Sequence, residues 1–141
     1  MANTGRNKYS GQSIRVVTAI VQNEEGYLIN QRPETSVLGG LWEFPGGRVP
    51  EGSGDKEVLE AKLSAGWGIV AEVGELNMEV LHHYEEYVVH MAVYEATLVS
   101  GPTKGTERIR FVAAHELEDY QFPGADQETI ELLLSAMEEI D

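Results

Sequence analysis

The sequence predicts an α/β (α+β) domain in which a mixed β-sheet lies between helices. Three observations indicate this class: several runs of β-branched and aromatic residues, one helix-forming segment between them, and an amphipathic segment near the end of the chain. The chain has 141 residues, enough to bury the core of a single domain, residues 1–141, without metals or disulfides. Residues 1–11 are polar, and we expect them to be flexible.

The first part of the chain predicts two strands and a long ordered loop. Residues 13–22 and 27–30 are the strand candidates, and residues 23–26 form a tight turn between them. Over residues 31–54, glycine and proline recur without periodicity. This composition indicates an ordered loop, with short extended pieces around residues 42–44.

Residues 55–65 predict the first helix. Ser53 is a candidate N-cap, and Asp55 falls in the first turn, where a carboxylate favours the helix. Gly66 and Gly68 supply the stop signal, because glycine accepts the left-handed backbone that ends many helices.

The second part of the chain predicts further strands and a closing helix. The strand candidates are residues 69–73, 78–84, 87–98 and 108–113. Residues 126–140 predict an amphipathic helix. Its apolar face consists of Ile130, Leu133, Leu134, Met137 and Ile140.

Composition excludes several classes of function. The net charge is −14, from 24 acidic and 10 basic residues, and the basic residues are scattered, so a surface for duplex nucleic acid is not expected. No apolar stretch is long enough to span a bilayer, so no membrane partner is expected either, and we expect a cytoplasmic protein. There is no cysteine, and the adjacent His82 and His83 would point to opposite faces of a strand, so no zinc site is expected.

A long motif extends from the ordered loop into the first predicted helix. Residues 39–48 read GGLWEFPGGR, and they resemble the start of a Nudix box. Laid on the sequence from Gly47, the pattern G-x5-E-x7-R-E-U-x-E-E-x-G-U, in which U is apolar, ends at Gly68 and Ile69 without a gap. Leu63 occupies the internal apolar position. The glycines and apolar positions of the motif are therefore intact.

The charged positions of the box are all substituted. Its acids and its arginine are replaced by Ser53, Ala61, Lys62, Ala65 and Gly66. In the family, the box glutamates hold divalent cations against a pyrophosphate. Mg²⁺ prefers carboxylate and other oxygen ligands, which these five residues do not supply in the required number. We therefore expect no metal, no cofactor and no magnesium-dependent hydrolysis by the family's site, and the catalytic residues, if any, are unknown.

Two further segments resemble the MutT type of Nudix protein, the branch that hydrolyses 8-oxo-dGTP and other nucleoside triphosphates. Residues 31–34 (QRPE) ahead of residues 40–47 are similar to that branch and to the C-terminal domain of the MutY adenine glycosylase. Residues 120–126 (YQFPGAD) resemble the segment before the last helix, where an Asn or Asp contacts the purine. The ligand-binding residues that the resemblance implies are Arg32, Glu43, Phe44, Gly46, Gly47, Arg48, Lys62 and Asp126.

Several of these residues have a structural interpretation as well. Asp126 is also a natural N-cap for the last helix, and Trp42 is expected in the core. Lys62 and Arg48 could bind phosphate as point charges without metal, or Lys62 could be an ordinary exposed helix residue. Four acids lie in or beside the box, and we expect them to be solvated surface carboxylates rather than a rebuilt site. They are Glu51, Asp55, Glu57 and Glu60.

The sequence leaves three functions open. The leading hypothesis is a Nudix-fold domain that binds a nucleotide, another phosphorylated small molecule or a protein partner without hydrolysing it. The alternative is a MutT-like nucleoside triphosphate pyrophosphohydrolase that needs Mg²⁺ and uses displaced acids such as Glu43, Glu51 or Glu57. A third hypothesis is a partner-binding domain with an empty cleft.

Overall fold

The predicted α/β class is confirmed by the computed structural model. The structure describes residue 11 and residues 13–36, 38–101 and 108–140, without the side chains of residues 132 and 135–140. Of the segment expected to be flexible, only Gly11 belongs to the described residues. Over these residues the chain forms one mixed sheet of seven strands between two α-helices.

The strands and helices follow the order that the sequence predicts, except that two predicted strands are joined into one and that a short strand at residues 46–48 and a 3₁₀ helix are added. The strands are β1 Ser13–Asn23, β2 Gly26–Gln31, β3 Trp42–Glu43, β4 Gly46–Arg48, β5 Val70–His83, β6 Val88–Ser100 and β7 Ile109–Val112. The helices are α1 Asp55–Trp67, the unpredicted 3₁₀ helix Ala114–Asp119, and α2 Gly124–Ile140. The sheet order is β3-β2-β1-β6-β5, β4 pairs with β1, and β7 pairs with β2. The β1–β6 pair is parallel, and the other pairs are antiparallel.

Strand β1 divides the core into two layers, because successive side chains point to opposite faces of a sheet. Val17 and Val21 belong to the cluster that contains Leu59 and Leu63 of α1. On the other face, Ile14 packs in the cluster that contains residues of α2. The sheet is therefore covered by α1 on one face and by α2 on the other.

The prediction of two separate strands at residues 69–73 and 78–84 was wrong, because β5 is one strand. It runs continuously along β6, with register shifts between Val73 and Leu76 and between Leu76 and Met78. Bulges of this kind let a strand absorb extra residues without ending. Gly74 and its polar neighbours, which lie between the two predicted strands, are therefore inside one strand.

Helix α1 begins at Asp55, as predicted, but Ser53 is not its N-cap. Gly54 holds that position with an extended backbone and no side-chain cap, while the Ser53 amide donates to the carbonyl of Pro50 in the preceding turn. The helix continues to Trp67 and ends at Gly68, whose φ of 64° is left-handed. The predicted role of Gly68 as the stop is confirmed, whereas Gly66 lies inside the helix and does not end it.

Helix α2 begins at Gly124, which is earlier than the predicted start at residue 126. Ile130 and Leu133 are buried against the sheet, in agreement with the predicted apolar face, whereas the side chains of Met137 and Ile140 are outside the described ones. Within the described residues, neither helix combines the length and apolarity needed to cross a membrane.

Candidate functional site

A cavity opens on the α2 face of the sheet, between the loop before β3 and the start of α2. Its volume is about 760 Å³ with the open mouth included. It is lined by Ile14, Val16, Thr18, Arg32, Leu38, Glu43, Phe44, Gly46, Gly47, Arg48, Tyr84, Tyr87, Val89, Met91, Pro123, Ala125 and Asp126. Every ligand-binding residue implied by the resemblance, except Lys62, lies in this lining.

A group of polar side chains lies in the cavity wall. The Arg32 guanidinium forms an ion pair with Glu43 at 2.8 Å, and the Asn30 amide donates to the other oxygen of Glu43 at 3.3 Å. Asp126 is 6% exposed. Burial and the negative charge of Glu43 raise its pKa, Arg32 lowers it, and the net pKa is about 8. At neutral pH the Asp126 carboxyl is therefore mostly protonated, and in this form it can both donate and accept a hydrogen bond.

Asp126 is not the N-cap of α2, contrary to the structural interpretation of its position. The helix has already begun at Gly124, and the Asp126 amide donates to the carbonyl of Pro123 at 3.0 Å. The side chain is left to face the cavity, which it lines. Its place in the first turn thus serves the site rather than the end of the helix.

Aromatic and apolar side chains form the rest of the wall. Phe44 is buried and stacks on Phe122 with ring centroids 5.3 Å apart. Tyr84 stacks on Tyr87 at 4.9 Å, and its hydroxyl accepts a hydrogen bond from the Ala125 amide at 3.0 Å. That bond ties the turn after β5 to the first turn of α2. The cavity therefore combines flat apolar surfaces with a small number of polar groups, as small-molecule sites do.

Trp42 lies outside the cavity lining. It is half-buried against the core cluster of the α2 face, and its ring meets Tyr120 edge-on with centroids 5.1 Å apart. The Arg110 guanidinium lies 5.2 Å from the centre of the same ring. Trp42 therefore packs against the core without being fully buried, in partial agreement with the expectation.

The double glycine of the motif permits two close contacts. A β-carbon on Gly46 would lie 2.0 Å from the carbonyl oxygen of Val17, so only glycine fits between β4 and β1 there. A β-carbon on Gly47 would lie 3.0 Å from Cε and 3.1 Å from Cδ of Lys62. The stem of Lys62 therefore lies along Gly47, which lines the cavity, although Lys62 itself is not part of the lining. Lys62 and Arg48 are both exposed.

The other substituted positions of the box contribute no ligand group. Ser53, Ala61, Ala65 and Gly66 are exposed to solvent. Among the residues that the structure describes, no group of three or more His, Asp or Glu side chains is arranged to hold a metal ion. None of the five box side chains carries a carboxylate, and Lys62 is a cation, so these positions offer no acid ligand to a magnesium ion.

The four acids beside the box have different surroundings. Glu51 and Glu57 are exposed, as expected. Glu60 is exposed too, and it also accepts a hydrogen bond from the Val73 amide at 3.2 Å, which joins α1 to β5. Asp55 is an ion-pair partner rather than a solvated carboxylate, and the expectation for it was wrong.

Asp55 belongs to a polar cluster on the α1 face of the sheet. Its carboxylate accepts hydrogen bonds from Arg15 at 2.8 and 2.5 Å and from the Tyr94 hydroxyl at 2.7 Å. Arg15 also lies 3.5 Å from Glu79, which in turn lies 3.5 Å from His90. The hydrogen bond from Arg15 lowers the pKa of Asp55. The one signal in the sequence was Arg15 itself, a charged residue inside an apolar strand.

The histidines do not form a common site. His82 is half-buried, meets the Tyr84 ring edge-on and packs against Gly124, while His83 is exposed. His90 lies on the α1 face, beside Arg15. The different surroundings of His82 and His83 agree with the alternation expected along a strand.

Comparison with known proteins gives consistent matches. The family model for the NUDIX domain matches residues 16–132. The CTP pyrophosphohydrolase of Escherichia coli (strain K12) is 30% identical over 110 residues, which cover 78% of this chain and 82% of the relative. The 8-oxo-dGTP diphosphatase of Haemophilus influenzae is 31% identical over 125 residues, which cover 86% of this chain and 92% of the relative.

Solved structures show the same fold. The MutT protein from Methanosarcina mazei Go1 has a TM-score of 0.76 at 23% identity, covering 89% of this chain and 95% of that one. The E. coli ORF135 protein has a TM-score of 0.70 at 26% identity, covering 88% and 90%. With the family model spanning both the box and the segment before α2, the chain belongs to the Nudix family and is of the MutT type.

Proposed function

We propose that this chain binds a nucleotide, with the base in the cavity beside Asp126 and the phosphates at the open end beside Lys62 and Arg48. One observation carries the proposal: the Lys62 stem lies along Gly47, so a cation stands beside the strand whose residues line the cavity. The names of the relatives, a CTP pyrophosphohydrolase and an 8-oxo-dGTP diphosphatase, support a nucleotide as the ligand class.

The polar group of the cavity suits the edge of a nucleobase. A protonated Asp126 offers a donor and an acceptor, and the carboxylate of Glu43 offers an acceptor. Asp126 is buried, so little water can replace a ligand as its hydrogen-bond partner. A ligand without the matching groups would therefore leave the Asp126 carboxyl unpaired. Phe44, Tyr84 and Tyr87 supply apolar surface for the ring.

The phosphate end relies on side-chain cations. A lysine ammonium binds phosphate as a point charge, and an arginine can form paired hydrogen bonds to its oxygens. Since the box lacks carboxylates for a metal ion, the proposal assigns charge compensation to Lys62 and Arg48. Binding of this kind neutralises the phosphates without activating a water, so the bound nucleotide is kept intact.

Pyrophosphohydrolysis is a second candidate function, and the relatives favour it directly because both are named as hydrolases of this type. In this version Glu43, Glu51 or Glu57 replaces the box acids. Glu51 and Glu57 are exposed near the start of α1, and Glu43 lies in the cavity wall. Glu43 is already paired with Arg32 and Asn30, which leaves it a limited capacity for a metal ion.

The test is a titration of the purified protein with purine and pyrimidine nucleoside triphosphates, with and without Mg²⁺. Calorimetry measures binding, and chromatography of the nucleotides measures pyrophosphate or phosphate release. We expect binding that does not need magnesium and no release. Magnesium-dependent turnover that disappears with Glu57→Gln or Glu51→Gln would establish the hydrolase instead. No binding of any nucleotide would support the partner-binding domain.

Lys62→Ala tests the phosphate end, with Lys56→Ala on the same helix as the matched control. We expect Lys62→Ala to weaken nucleotide binding by about tenfold, corresponding to one lost charge-assisted hydrogen bond. Lys56 is exposed near the start of α1 and should not change the affinity. Equal affinities of the two variants and the parent protein would remove Lys62 from the site.

A further inference from the structure

Leu38 has an unusual backbone. Its φ is 57°, and it is the only non-glycine residue with positive φ among the described residues. Side chains with a β-carbon are crowded in this conformation, which glycine adopts without penalty. The next two residues, Gly39 and Gly40, show that glycine is used freely in this loop. A leucine at position 38 therefore requires a compensating role for its side chain.

The loop around Leu38 is held closed by its own backbone. Gly40 donates to the Arg32 carbonyl at 3.1 Å, and Arg32 donates to the Leu41 carbonyl at 2.8 Å. A β-carbon on Gly39 would lie 2.2 Å from the carbonyl oxygen of Glu34, so the two sides of the loop are in close contact. These contacts close the loop that contains Leu38.

The Leu38 side chain faces the cavity rather than the core. It is half-buried and lines the cavity together with Phe44, Tyr87 and Met91. It belongs to neither of the two core clusters, nor to the partly buried residues packed against them. Core packing therefore does not account for the leucine. Its apolar surface remains available to a molecule inside the cavity.

We propose that Leu38 is a specificity residue that packs against a face of the ligand's heterocyclic base. This inference rests on the proposed nucleotide binding and narrows the ligand to one with a flat ring. A sugar phosphate or an inorganic polyphosphate would not use the contact. The left-handed backbone of Leu38 then directs its apolar side chain from the tight loop towards the cavity.

Two substitutions separate the contact from the strain. Leu38→Ala removes the contact and keeps a β-carbon, whereas Leu38→Gly removes both. We expect each variant to bind nucleoside triphosphates about tenfold more weakly, as the loss of part of a leucine's buried surface implies. Binding of inorganic triphosphate should stay unchanged. Leu38→Gly should also melt at a higher temperature than Leu38→Ala, because only glycine relieves the backbone.

The controls make each result decisive. Leu81→Ala changes an exposed leucine on β5 and should leave nucleotide affinity unchanged. If the parent protein binds nucleotides and both Leu38 variants bind them equally well, the inference fails and the proposed function stands. An equal loss of affinity for inorganic triphosphate, or a lower melting temperature for Leu38→Gly than for Leu38→Ala, would also overturn it. If the parent protein binds no nucleotide, both the proposed function and this inference are wrong.

Discussion

Asp55 and Asp126 both lie in the first turn of a helix, yet at neutral pH one carboxyl group is ionised and the other is protonated. The helix dipole favours an ionised acid at such a position by at most about 2 kcal/mol. Asp55 follows this preference because Arg15 and Tyr94 donate hydrogen bonds to it. For Asp126, burial without a direct cation outweighs the dipole. The surroundings of each carboxyl group, rather than its place in a helix, therefore determine whether it is ionised.

Asp126→Asn should have the largest effect of the three substitutions, on the pH dependence of the free energy of unfolding. The folded-state pKa of about 8 lies above the ordinary value of 3.8, so the folded protein binds one more proton than the unfolded chain between these pH values. The free energy of unfolding should therefore fall as pH rises through this window, by at most about 1.4 kcal/mol per pH unit. Asparagine does not titrate, and the variant should lack this slope. Urea denaturation at several pH values measures it.

The exposed Asp119 provides a matched control for this experiment. Asp119→Asn should reproduce the pH profile of the parent protein. Profiles of the parent protein and Asp126→Asn that run parallel between about pH 4 and pH 8 would show that Asp126 is ionised in the folded state, against the value of about 8.

Asp55→Ala should lower the free energy of unfolding by about 2 kcal/mol, because it removes charge-assisted hydrogen bonds and leaves Arg15 without its main partner. The sign of the pH effect is opposite to that of Asp126. The pKa of Asp55 is lowered, so its contribution is present above the ordinary value of 3.8 and disappears as pH falls through the folded-state pKa. Glu57→Ala, in the same turn, should change stability by less than about 0.5 kcal/mol. Equal effects of the two variants would contradict the structural role of Asp55.

Tyr94→Phe should have the smallest effect, a loss of about 1 kcal/mol, because it removes a single hydrogen bond to Asp55. Combining it with Asp55→Ala provides the check. If the hydroxyl acts through Asp55, thermal or urea denaturation should show little further loss in the double variant. Additive losses would mean that Tyr94 stabilises the protein in another way.

Much of the fold could be predicted from local patterns in the sequence. The periodicity of residues 126–140 predicted α2, and Gly68 predicted the end of α1. The continuity of β5 could not be predicted, since Gly74 and its polar neighbours look like a turn unless the partner strand β6 is known. A bulge depends on the pairing with the neighbouring strand, so the local sequence alone does not predict it.

The candidate site was predictable where a motif surrounds it and not elsewhere. The segment before α2 indicated Asp126, whereas β4 lies in a stretch that was predicted as a loop. The pairing of Arg15 with Asp55 joins residues 40 positions apart, and no pattern connects them. The left-handed backbone of Leu38 could not be predicted either, because a leucine rarely adopts it.

The five substituted box positions share one property: each is exposed to solvent on or just before α1, while Leu59 and Leu63 of the same helix are buried in the core. A change of charge at Ser53, Ala61 or Ala65 therefore alters the surface of the domain and leaves the buried leucines in place. Two proteins can share this packed helix and still present different charges beside the cavity.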